Sequence, residues 1–140
     1  MVRSDVAVSA HLDISGSPKA APTARRFVHQ ELAKVITAEL LEDVLLMTTE
    51  MVTNVVLHAR TDVHLGVTHD GTNVLVTVQD HNSAGPAERA RNAEEGQLAE
   101  SGRGMQIIER LADDFGWSRM PDRHGKVMWF VLAIPQASAS

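Results

Sequence analysis

Cysteine is absent from the 140-residue sequence, which excludes disulfide cross-links, thiolate nucleophiles and cysteine-ligated zinc. Long hydrophobic runs are absent too. The longest, Val127 to Ile134, has eight residues, far short of the roughly 20 that a membrane-spanning helix needs. The opening MVRSDVAVSAHLDI carries no apolar stretch of the kind found in secretion signals. There is no basic surplus: the formal net charge is −5, which argues against a nucleic-acid-binding surface. None of the seven histidines (His11, His29, His58, His64, His69, His81 and His124) stands in H-E-x-x-H spacing, which argues against a histidine-built zinc site. No internal repeat is visible. The expectation is a cytoplasmic protein with neither nucleic acid nor membrane as a direct partner.

What is present is an ordinary globular composition, 44% hydrophobic and 22% charged. A single domain over residues 1–140 is expected, with 1–20 an amino-terminal strand and loop and 136–140 a frayed tail. Val6, Val8, Leu12 and Ile14 suggest the strand. Thr23 fits an N-cap for a helix from Ala24 to about Val35, burying Phe27, Leu32 and Val35. A longer helix should run from about Ala38 to Ala59 on a stripe of Leu41, Leu45, Thr48, Val52, Val55 and Val56. Val63-Leu65-Val67 and Val74-Val76-Val78 alternate around His69-Asp70-Gly71-Thr72, a hairpin signal. Gly104 to Ala112 reads as a helix on Met105, Ile108 and Leu111. A last strand, Lys126 to Ile134, is apolar on both parities and so reads as covered on both faces, with Trp129 and Phe130 in the core. This order predicts an α+β fold, a two-layer α/β sandwich with helices on one face of a mixed, mostly antiparallel sheet.

Three segments carry candidate chemistry. Glu50, Asn54 and His58 follow one another at four-residue spacing and share a face of the long helix, pointing away from Leu41, Leu45 and Val52. The Asn54 amide oxygen suits Mg²⁺, a hard ion that takes oxygen ligands and phosphates. The Glu50 carboxylate suits orienting or deprotonating a hydroxyl. An ordinary solvated helix face has the same pattern. Asp80 ends the Val74-Val76-Val78 parity just before His81-Asn82-Ser83-Ala84-Gly85-Pro86. At the mouth of an apolar cleft, its carboxylate can accept a hydrogen bond from an exocyclic amine and so separate adenine from guanine. Equally, it can simply start a turn. Ser101-Gly102-Arg103-Gly104-Met105 opens the third helix, where glycines and free N–H groups favour an anion. A lone Gly-x-Gly is also what a plain flexible loop contains.

Taken in order, these strings resemble the GHKL (Bergerat-fold) ATPases, in the form of the RsbW-type anti-sigma-factor serine kinases. Glu50-Met-Val-Thr-Asn54-Val-Val-Leu-His58-Ala59 is similar to their N-box, Asp80 to Gly85 to their G1 box and Gly102 to Met105 to their G2 box. The resemblance covers about residues 20–135. It implies ATP and Mg²⁺ as cofactors, with Asn54 on the metal and Glu50 as the base. Asp80 would read adenine, and His58, Gly85, Gly102, Arg103, Gly104 and Met105 would line the nucleotide site, with residues 84–101 as its lid. It further implies a serine/threonine protein kinase that phosphorylates an anti-anti-sigma partner, sequesters a sigma factor and forms a homodimer. Two departures stand out. Asn82 and Ala84 replace glycines of the G1 box, and Val127 stands where many relatives carry threonine. They favour the alternative, a non-catalytic GHKL binding module in partner-switching regulation.

Overall fold

The computed structural model describes residues 7–81, 105–120 and 125–136. Strand β1 (Val8–Ile14) leads to helix α1 (Ala20–Leu32), then helix α2 (Ala38–Asn54), which continues into a π-helical turn at Val55–Ala59. Strands β2 (Val63–His69) and β3 (Asn73–Gln79) follow, then helix α3 (105–111), β4 (Asp114–Arg119) and β5 (Lys126–Ala133). The sheet order is β1-β2-β3-β5-β4, and all four ladders are antiparallel. The expected mixed, mostly antiparallel sheet is thus entirely antiparallel among the described strands.

One face of the sheet makes the core. Ile14, Val63, Leu65, Val67, Val74, Val76, Val78, Met128, Phe130 and Leu132 are buried there together with residues of α1, α2 and α3. The alternation predicted for β2 and β3 holds because a pleated strand sends every second side chain to the same face. For β5 the expectation of two covered faces fails. Phe130 is fully buried, but Val127, Trp129 and Val131 are half-buried on the other side. Trp129 lies outside the main core, over Gly116 of β4, where a Cβ would stand 2.7 Å from its ring.

Helix α1 starts at Ala20, four residues before its expected start at Ala24. Thr23 donates its N–H to the Lys19 carbonyl at 3.1 Å, inside the first turn. Pro22 is tolerated there because the first turn has no use for its missing N–H. The buried stripe is Ala20, Ala24, Val28 and Leu32, and Val35 lies beyond the helix, exposed. In α2 the buried arc is wider than the predicted stripe and is centred on Val44, Met47, Met51 and Val55, while Leu45 and Val56 are only half-buried. The cause is two neighbours: α2 packs on α1 and on β3.

Two turns are fixed locally. Gly71 (φ 87°) turns the β2–β3 hairpin, and Asp70 Oδ1 accepts from the N–H groups of Thr72 and Asn73, each at 2.9 Å. Gly125 (φ 149°) admits the chain to β5, and a Cβ there would collide with the Asp80 carbonyl.

Candidate functional site

Of the candidate residues that the structure describes, Glu50, Asn54 and Asp80 lie on the helix-covered side of the sheet, towards the C-terminal ends of α2 and β3. Asn54 is the last residue of α2 and is buried at 8% exposure, while Glu50, one turn earlier, is half-buried. A simple solvated face is therefore not what these residues form. Because the buried arc extends past Met47 and Met51, Asn54 falls on its rim and Glu50 just outside. His58 follows in the next turn and is half-buried. The chain widens into the π-helical turn at Val55–Ala59, with Arg60 N–H bonded to the Val55 carbonyl at 2.7 Å and Arg60 left-handed at φ 58°.

Asp80 directly follows β3 on the core parity and is buried at 1% exposure. Opposite it stands Lys126, the first residue of β5, fully buried. Asp80 N–H donates to the Lys126 carbonyl at 2.9 Å, extending the ladder by one pair. Lys126 N–H donates to Asp80 Oδ1 at 3.3 Å, and the Lys126 ammonium forms an ion pair with Asp80 Oδ2. The collision-free Gly125 is what lets the two strands approach here. Met105, the first residue of α3, is half-buried against the core, as packing alone would place it. Gly85, Gly102, Arg103, Gly104 and the lid segment 84–101 lie outside the described residues.

Sequence reasoning missed Lys126. The signal was its parity: it shares the core side of β5 with Met128 and Phe130, and a lysine there demands a counter-charge.

Where β1 ends and β2 begins, Asp13, Ser15, Asp62, His64, Gln79 and His81 line a cleft of about 560 Å³, together with Ile14 and Val63. His64 Nδ1 meets Asp13 Oδ1 at 2.5 Å, and the His64 ring stacks on His11 with centroids 5.2 Å apart. Among the described residues, no three His, Cys, Asp or Glu side chains gather as metal ligands.

Residues 14–132 match a family model described as "Histidine kinase-like ATPase domain". The chain belongs to the histidine kinase-like ATPase family. No curated protein matches it significantly. Similar solved structures include the RsbU and RsbW domains of Rv1364c from Mycobacterium tuberculosis. There the TM-score is 0.66 at 16% identity, covering 94% of this chain and 34% of that one. The chain thus spans about a third of that protein. The SiaB–SiaC complex from Pseudomonas aeruginosa has a TM-score of 0.59 at 14% identity, covering 89% of each chain. For this histidine kinase-like ATPase domain the family implies ATP binding. No helix among its described residues is long and apolar enough to cross a membrane.

Proposed function

We propose that this domain is an anti-sigma-factor-like serine/threonine protein kinase, which binds ATP, phosphorylates an anti-anti-sigma partner and otherwise sequesters a sigma factor. The observation that carries the reading is the half-buried Glu50 one turn before the buried Asn54, on the same side of the sheet as Asp80. An isolated amide oxygen and a carboxylate at a helix end are hard donors, so Mg²⁺ fits them. Bound there, the ion would neutralise phosphate charge. Glu50 would orient the attacking hydroxyl and take its proton, so that catalysis is mostly placement and electrostatics. Asp80 would read the 6-amino group of adenine, His58 and Met105 would flank the nucleotide, and Gly85, Gly102, Arg103 and Gly104 would hold its phosphates. Residues 84–101 would close over it as a lid, within one domain spanning the chain. Protein partners are in keeping with SiaB, which was solved in complex with SiaC. Two copies would pair along β1, an edge strand carrying the exposed Val8.

Calorimetry with ATP, with and without Mg²⁺, tests the site. Magnesium-dependent binding of about −8 kcal/mol that is lost in Asn54→Ala is the expected outcome, and no binding by the wild type would sink the reading. In Glu50→Gln, ATP affinity should survive while γ-phosphate transfer is lost. The alternative, a binding module that transfers no phosphate, is favoured by one observation: the base-reading carboxylate is already held by Lys126. No γ-phosphate transfer by the wild type despite bound ATP would favour it, whereas unchanged transfer in Glu50→Gln would show that Glu50 is not the base.

A further inference from the structure

The ATP-binding reading leaves a buried cation without a role. Among the described residues, the buried charged side chains are Asp80 and Lys126, exposed by 1% and 0%. They face each other at the end of the β3–β5 ladder, joined by the backbone bond from Asp80 N–H, the Lys126 N–H bond to Oδ1 and the ion pair at Oδ2. Both oxygens of the base-reading carboxylate thus already accept from Lys126. A hydrophobic residue at this core position would cost nothing to bury, whereas an ammonium is costly unless paired.

We infer that Lys126 sets the base selectivity of this site, so that the Asp80–Lys126 pair admits 6-oxopurine as well as 6-aminopurine nucleotides. The inference rests on the ATP-binding reading and deepens it. A carboxylate alone accepts from the 6-amino group of adenine and repels the 6-oxo oxygen of hypoxanthine or guanine. With an ammonium beside it, the same site offers an acceptor and a donor, and its net charge is close to zero. Adenine presents a donor at N6 next to an acceptor at N1. A 6-oxopurine presents an acceptor at O6 next to a donor at N1. The pair matches either order. Lys126 also draws on the lone pairs that adenine would use, so it weakens the preferred base while removing the repulsion that excludes the other. Any base that reaches Asp80 from the helix side meets the ammonium as well, because the two groups are in contact. Selectivity by polar complementarity requires that the wrong ligand leave a buried group without a partner, and here neither base does.

ADP and IDP differ only at the 6-position and the adjoining N1 proton, so their dissociation constants isolate this contact. Both are measured by calorimetry with Mg²⁺ on the wild type, on Lys126→Thr and on Lys126→Met. The expected result is a wild-type preference for ADP below about thirtyfold, rising at least about tenfold in folded Lys126→Thr or Lys126→Met. A wild-type preference above that threshold overturns the inference, as does a ratio unchanged in a folded variant. If neither variant folds, the wild-type ratio decides alone. Magnesium-dependent, Asn54-dependent ADP binding with strong rejection of IDP sinks the role of Lys126 and leaves the nucleotide site standing. Absence of binding by either nucleotide overturns both.

Discussion

Thr48 sits in the core of α2 at 0% exposure, and its hydroxyl has no hydrogen-bond partner among the described residues. A buried hydroxyl without an acceptor costs about 1–3 kcal/mol. Thr48→Val, close to it in shape, is therefore expected to raise stability by about 1 kcal/mol, read as a higher melting temperature; a lower one would mean the hydroxyl is bonded. Asp70 is the opposite case. The N–H groups of Asn73 and then Thr72 hold its carboxyl below the usual carboxylate range. The folded state favours the charged form, so the contribution is present above the ordinary pKa of about 3.9 and fades as pH falls through the lower folded value. The melting-temperature gap between wild type and Asp70→Ala should accordingly be full near neutral pH and close below about pH 4. A gap that persists in acid would show that the turn owes nothing to the charge. Glu50, Asn54 and Asp80 were legible as candidates because short polar strings at fixed spacing survive without any knowledge of packing. Lys126 was not, because a turn-flanking Gly-Lys looks solvated until the register sets it opposite Asp80.

At the scale of elements, α2 was easy to find and α1 was misplaced at both ends. A long helix with a broad apolar arc announces itself, whereas the start of α1 hangs on backbone bonds around Lys19 and Pro22 that leave little trace in composition. The π-helical turn was invisible for the same reason: Val55–Ala59 continues the apolar rhythm of α2, and a change of hydrogen-bond partner writes no pattern. Strand β4 had no signal either, since an edge strand reading Asp-Phe-Gly-Trp-Ser-Arg, mostly exposed, has no alternation to detect. The start of α2 is better defined: Thr37, extended at ψ 160°, accepts from the Leu40 N–H at 3.2 Å. Thr37→Ala should cost about 1 kcal/mol, measured by urea denaturation. A cost within error of zero would mean water caps the helix equally well.

For the whole molecule, the fold class could be read because alternation of period two and of three to four residues came in blocks. The strand order β1-β2-β3-β5-β4 could be read only in part: the apolar run of β5 marks a central strand, as it is, but β4 left no signal to place beside it. Phe130 shows what that order achieves. It is fully buried on β5, beside Val76 of β3 on one side and Phe115 of β4 on the other. Phe130→Ala should cost about 3–5 kcal/mol in one cooperative transition. Loss of β4 alone, with β1 to β3 still protected from hydrogen exchange, would show the sheet to be two separable units.

The same strand order imposes a timetable on synthesis. β5 is made after both strands that flank it, so a chain emerging from the ribosome can join β1, β2 and β3 but has no seat for β4 until β5 arrives. Until then the Asp80 carboxylate waits for a cation 46 residues downstream, beside an apolar face short of one strand. The nascent protein thus reaches its native pairing late, in a single closing step. That interval, rather than any property of the finished molecule, is when it is most exposed to misassembly and to the chaperones that guard against it.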